Sequence, residues 1–268
     1  MKKNPFFTQE EWAIVRKDCR EVWSARMVRV TLILVPLLLS VFLPALYLAL
    51  ALLLPEEETG MEELAGLLPP GMASLTGGQA MFYLIGQVVS PMFFLMIPLM
   101  ASSVSAACSF VGERERGTIE TLLLTPVPVR RIFRAKTAAC VLISLLTGAV
   151  SFAAFAIVMA VGSALLHTPY FFNGNWAVLV FLLAPAVTLF GVTFMVLVSG
   201  RSKSSMEAMQ TSGYLVLPLL LLFIGQLSGL FSLNVAAFLI LSLLLWAADA
   251  ALLAAASRWF TPERLLRP

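Results

Sequence analysis

The chain has 268 residues, of which 60% are hydrophobic and only 12% are charged, and its mean hydropathy is +0.92. Because a soluble domain carries about 25% charged residues, this composition excludes an ordinary soluble globular protein. The formal net charge of +3 is small, and we expect no nucleic-acid partner. The distribution of the charges along the chain is more informative than their sum.

Residues 1–27 predict a cytoplasmic amphipathic helix. Thr8 and Glu11 have the spacing of a capping box. One apolar face is predicted from side chains that recur every three or four residues: Trp12, Val15, Cys19, Val22 and Trp23. Most of the charged residues are predicted on the other face: Glu10, Glu11, Arg16, Lys17, Asp18 and Glu21. A helix with two Trp residues just before a membrane span favours a position on the bilayer surface. The alternative is an ordinary cytoplasmic helix packed on a partner.

Six apolar runs are long enough to cross a bilayer as helices. They lack the strict alternation of barrel strands, so the sequence predicts an all-α membrane protein. The predicted transmembrane domain, 28–256, contains spans at 28–54, 80–110, 137–166, 176–199, 210–230 and 233–256. A cytoplasmic tail follows at 257–268. Prolines inside the spans are interpreted as packing kinks rather than as a transport site.

All 18 Lys and Arg residues fall on one side of this six-span arrangement. The first loop between spans, 55–79, has none of them and carries five Glu residues, whereas the next loop has six basic residues. Because basic loops are retained in the cytoplasm, we expect both termini to be cytoplasmic and the protein to lie in the cell membrane.

The loop between spans two and three, 113–136, is a charged island with the sequence ERERGTIETLLLTPVPVRRIFRAK. Its first four residues are expected to continue the second span, and Gly117 is expected to break it. Thr118 is a suitable N-cap for a short helix. That helix would expose leucines to the cytoplasm and end at Pro126. The following basic residues suit the lipid headgroup layer: Arg130, Arg131, Arg134 and Lys136.

The order of these residues resembles the loop between spans two and three of ABC-2 type ABC-transporter permeases. The matching positions are Gly117, Thr118, Glu120, Leu122, Leu123, Thr125, Pro126, Val127 and Lys136. Weaker resemblances cover SGRSKSSMEAMQTSGYLVLPLLLL at 199–222 and SRWFTPERLL at 257–266. With the N-terminal helix and the six spans, the resemblance covers nearly the whole chain.

The resemblance implies a half-transporter. Two permease copies, identical or related, would form the path, and a separate cytoplasmic ABC ATPase would bind ATP and Mg²⁺ and drive export. The island would hold a coupling helix that docks on that ATPase. The residues expected to make this contact are Glu113, Glu115, Gly117, Thr118, Glu120, Leu122, Leu123, Leu124, Thr125 and Pro126.

The sequence contains no GxxxxGK[ST] phosphate-binding loop, so we expect no ATP site, no catalytic residue and no enzyme activity in this chain. No cluster of Cys and His indicates a metal site. Weak candidates for path-lining groups are Gln87, Ser90, Gln210, Tyr214 and Gln226. Each could equally make a hydrogen bond between helices. Two alternative functions stay open: an ATP-independent carrier or channel, and a membrane assembly factor driven by a partner ATPase.

Overall fold

The computed structural model of the protein describes residues 8–53, 75–118, 121, 124–199, 202, 204–228 and 234–259. Within these ranges all regular structure is helical. In chain order the helices are α1 (Gln9–Ser24), α2 (Arg26–Leu53), α3 (Gly77–Glu115), α4 (Val129–Leu166), α5 (Gly174–Ser199), α6 (Ser205–Gln226) and α7 (Val235–Trp259).

Helices α2 to α7 are each long and apolar enough to cross a membrane. The predicted all-α fold with six spans and a preceding amphipathic helix is therefore confirmed. The predicted coupling helix falls largely on positions 119, 120, 122 and 123, which lie outside the described residues. Helix α6 begins five residues before the predicted fifth span, because the Ser204 hydroxyl accepts the backbone N–H of Glu207 and caps the helix.

Helices α3 and α5 form the centre of the bundle. More than half of the most apolar window of each is buried, whereas the other four spans bury about a fifth of theirs. Helix α5 packs against α3, α4 and α7, and α3 also packs against α4. The outer spans therefore leave most of their apolar surface uncovered on the outside of the bundle, as is typical of a membrane protein.

Three spans contain a widened, π-helical turn just before a proline. These turns are Leu38–Phe42 before Pro44, Ile85–Val89 before Pro91, and Leu179–Leu183 before Pro185. A proline ring clashes with the carbonyl group four residues earlier, and in each case that carbonyl lies inside the π-helical turn. The wider turn accommodates the ring without breaking the span.

Helix α1 lies at the end of the bundle where α3 ends and α4 begins. It packs mainly on α4 and also contacts α2. Thr8 caps it, and the extended backbone of Ala25 turns the chain from α1 into α2. This arrangement places the start of the chain directly beside the charged island.

Candidate functional site

The buried face of α1 carries two acidic residues as well as apolar ones. Glu11, Val15, Asp18 and Val22 are spaced by four, three and four residues and are all buried. The two acids were expected on the polar face of α1, and this expectation was wrong because basic side chains on α4 pair with them. Trp12 and Trp23 are about half exposed on a neighbouring face of the helix.

The centre of the site is the ammonium group of Lys136, which is only 2% exposed. Its Nζ atom lies 3.2 Å from Oδ2 of Asp18 and 3.1 Å from Oε2 of Glu113. The same ammonium donates to the backbone carbonyl of Ser109 at 2.9 Å, and the Ser109 hydroxyl donates to Asp18 at 2.6 Å. Lys136 is therefore buried between three helices rather than placed at the lipid headgroups. A buried ammonium needs such partners because desolvating a lone charge is very costly.

Glu113 has a second cationic partner. The Nζ atom of Lys17 lies 2.5 Å from its Oε1 atom. The cluster thus joins Lys17 and Asp18 of α1 to Glu113 at the end of α3 and to Lys136 near the start of α4. Three of its carboxylates, on Asp18, Glu21 and Glu113, lie close enough together to suggest a metal site. The ammonium groups of Lys17 and Lys136 already provide positive charge there.

Two further ion pairs lie at the edge of this cluster, joining Arg134 to Glu11 and Arg116 to Glu21. Burial raises the pKa of the Glu11 carboxyl. The hydrogen bonds that it accepts from the Thr8 backbone N–H and from Arg134 lower it by more, so the pKa lies below its ordinary value. Glu11 therefore completes the cap of α1 and also ties α1 to α4.

The island begins with a sharp stop of α3. Gly117 has a φ of +67°, a conformation that glycine adopts without strain. Its N–H donates to the carbonyl of Arg114 at 3.1 Å, and the N–H of Thr118 donates to the carbonyl of Glu113 at 2.9 Å. These two bonds form a Schellman motif. The hydroxyl of Thr118 also donates to the backbone carbonyl of Glu113, at 3.2 Å. The first residues of the island are thus fixed to the residue that pairs with Lys136.

Glu115 connects the same end of α3 to α6. Its carboxylate accepts the backbone N–H of Ser205 at 3.0 Å and also the Ser205 hydroxyl. The N-terminal end of a helix has unpaired N–H groups and a partial positive charge, so a carboxylate is well suited to this position.

The central part of the predicted docking helix is not described. Ile119, Glu120, Leu122 and Leu123 lie outside the described residues. Their role therefore stays a prediction. Farther along the island, Leu124 is 86% exposed, and Thr125 and Pro126 are exposed as well.

The five candidates for a transport path are spread over two helices, α3 and α6. Gln87 donates to the carbonyl of Phe171 at 2.5 Å and accepts from Asn173 at 2.8 Å, so it holds the loop between α4 and α5. Ser90 and Gln226 are buried, whereas Gln210 and Tyr214 are exposed on α6. Gln210 and Gln226 are 16 residues apart on one helix, which is about 24 Å.

Sequence reasoning missed the central residues of the cluster, Asp18 and Ser109, and misplaced Lys136. One signal was available: Glu11 and Asp18 share a helix face with Val15 and Val22, and acidic residues on an apolar face need a cationic partner. The identity of that partner depended on packing.

The fold is that of a multi-pass helical membrane protein whose charged island lies between α3 and α4 and is also attached to α1 and α6. A family model described as ABC-2 family transporter protein matches residues 12–257, so the chain belongs to this family. It is thus a membrane permease of an ABC transporter, and members of this family are membrane transport subunits rather than enzymes. The comparison with curated proteins gave no match.

Proposed function

We propose that the chain is half of an ATP-driven exporter. A separate cytoplasmic ABC ATPase binds ATP and Mg²⁺ and docks on the island, this chain hydrolyses nothing, and a second permease copy completes the path. Both termini and the island lie on the cytoplasmic side of the cell membrane. The basic residues of the island and of α1 support this orientation.

The observation that carries the proposal is the position of Glu113. It lies four residues before the Gly117 break and pairs with Lys136 on α4 and Lys17 on α1. Separating a buried charge from its partner costs about 3–5 kcal/mol. A force on the island would therefore move α1, the end of α3 and the start of α4 together instead of bending the loop alone.

The contact between Glu115 and Ser205 extends this connection to α6. Four helices of this chain then respond to one docking event. A rigid joint of this kind suits the transmission of ATPase closure into rearrangement of the spans. A carrier that works without an ATPase has no need for an island attached in this way.

The docking step is tested by co-purification with an ABC ATPase encoded beside this chain. Leu123→Asp should abolish the association, because a charge would enter the proposed apolar contact. Leu265→Asp in the tail is the matched control and should retain the ATPase. Association unchanged by Leu123→Asp would contradict the docking site. Transport by the permease alone in liposomes, without ATP, would favour the ATP-independent carrier.

The coupling step needs a different variant. Glu113→Gln keeps the shape of the side chain but removes the charge that pairs with Lys136 and Lys17. Because Glu113 is only 2% exposed and already pairs with Lys17 and Lys136, the variant should still bind the ATPase. We expect stimulation of ATP hydrolysis by the permease to fall. Equal stimulation by the variant and the wild type would show that the ion cluster does not transmit motion.

A further inference from the structure

An apolar groove opens on the outer surface of the bundle, between α2 and α4 and next to α1. Its volume is about 480 Å³. The α4 wall begins at Ile143 and ends at Ala154, and Cys19 and Trp23 of α1 line one end. Eleven residues of helix correspond to about 16 Å. This is close to half of the roughly 30 Å hydrocarbon thickness of a bilayer.

The groove is lined mainly by apolar side chains, and its hydroxyl groups leave no hydrogen-bond donor free. Ser40, Thr147 and Ser151 line it. Each of their hydroxyls donates to a carbonyl of its own helix, at 2.6, 2.9 and 2.6 Å respectively. A ligand in the groove would therefore gain by burying apolar surface and not by polar contacts.

The end of the groove at α1 is different in character. Trp23 is half exposed there, and Trp is a side chain enriched at the level of lipid headgroups. Arg16 lies three residues before Cys19, and Arg20 lies three residues before Trp23, so each arginine is about one helical turn along α1 from a groove residue. Together with Lys17, the two arginines line a second pocket on α1. Both arginines are exposed, and they form no ion pair within the part of the chain that the structure describes.

We propose that this groove binds one phospholipid with an anionic headgroup, taken from the leaflet on which α1 lies. One acyl chain fills the groove from Trp23 to Ala154, and Arg16 and Arg20 hold the phosphate. The matched length, the internally bonded hydroxyls and the adjacent positive charge all point to this occupant. The lipid would seal the space between α1, α2 and α4 and so support α1 against the bundle.

The acyl-chain site is tested by native mass spectrometry of the full chain. The protein is exchanged into detergent from vesicles with equal amounts of phosphatidylglycerol and phosphatidylcholine. Val150→Trp fills the groove at a position that is already 70% exposed, so it should fold. Val161→Trp is the matched control, on the same face of α4 beyond the end of the groove. Wild type and V161W should retain about one phosphatidylglycerol per chain, and V150W at least tenfold less.

Three results would overturn the proposal. V150W could retain as much lipid as the wild type. The wild type could retain both lipids equally, which would indicate non-specific lipid only. Finally, V150W could change the oligomeric mass with lipid retention unaltered, which would make the groove a contact between copies.

The headgroup site has its own test in the same experiment. Arg16→Gln with Arg20→Gln should abolish the preference for phosphatidylglycerol. The control pair is Arg130→Gln with Arg131→Gln, which removes the same charge from exposed positions outside α1 and should keep the preference. A preference that is unchanged in the first pair would refute the role of these arginines.

Discussion

The substitution Lys136→Met tests the buried ion cluster most directly. Methionine has a similar length and fills the same space, so the change removes a charge and little volume. It leaves the carboxylates of Asp18 and Glu113 without their shared ammonium group, which is 3.2 and 3.1 Å from them in the structure. Glu113 keeps Lys17, whereas among the described residues Asp18 keeps only the hydroxyl of Ser109.

The expected cost follows from this geometry. Removing one partner of a buried ion pair destabilises a protein by about 3–5 kcal/mol. The Lys136 side chain is 2% exposed, so solvent screening reduces this value little. In a chain of this size, each kcal/mol lowers the melting temperature by about 2–4 °C. We therefore expect Lys136→Met to lower the melting temperature of the purified protein by roughly 10 °C.

Thermal unfolding in detergent, followed by intrinsic fluorescence, measures this shift. Arg130→Met is the control, because Arg130 is exposed, and it should change stability by about 0.5 kcal/mol or less. Adding Asp18→Asn to Lys136→Met removes one unpaired charge and should recover part of the loss, by about 0.5–3 kcal/mol. A melting temperature for Lys136→Met within about 2 °C of the wild type would refute the reasoning, since it would correspond to less than 1 kcal/mol.

Two other perturbations test packing and pH dependence. At Gly162 an added Cβ atom would lie 2.3 Å from the ring of Phe82, so Gly162→Ala should destabilise the folded protein by about 1–3 kcal/mol. An added Cβ atom at Gly148, on the same helix, meets nothing within 4 Å, so Gly148→Ala should stabilise the protein by up to about 1 kcal/mol. Equal melting temperatures for the two variants would contradict the close contact of α3 and α4. The pKa of Glu11 is lowered in the folded protein, so its contribution is complete above its ordinary value of 4.5 and is lost as the pH falls through the folded pKa. The protection of α1 amides against hydrogen exchange, corrected for the intrinsic exchange rate at each pH, should therefore fall in acid. Glu11→Gln should remove that part of the pH dependence, and an identical acid response in the variant would be the contrary result.

Several features were predictable from the sequence because they depend on local composition. Apolar runs of about 20 residues specify spans wherever they occur. The stop of α3 was predictable from Gly117, since glycine readily adopts the positive φ that this end requires. The family likewise followed from the order of residues in the island, and the family model confirms it.

Other features depended on residues that are distant in the sequence. Asp18 and Lys136 are 118 positions apart, and no periodicity in either segment connects them. A helical projection of α1 assigns charged residues to solvent, because it contains no information about cations on another helix. Likewise, the positive-inside rule predicts a cytoplasmic side for Lys136 without indicating whether its ammonium is exposed or buried.

The sequence by itself determined what is set by transfer into a bilayer: six helical spans, a basic side and an amphipathic N-terminal helix. These features follow from the free energy of transferring each segment from water into the bilayer. Tertiary structure alone decided which charges are buried, that Lys136 joins α1, α3 and α4, and that a groove opens between α2 and α4. Such features are set by which helix surfaces meet, and that depends on packing between segments far apart in the chain.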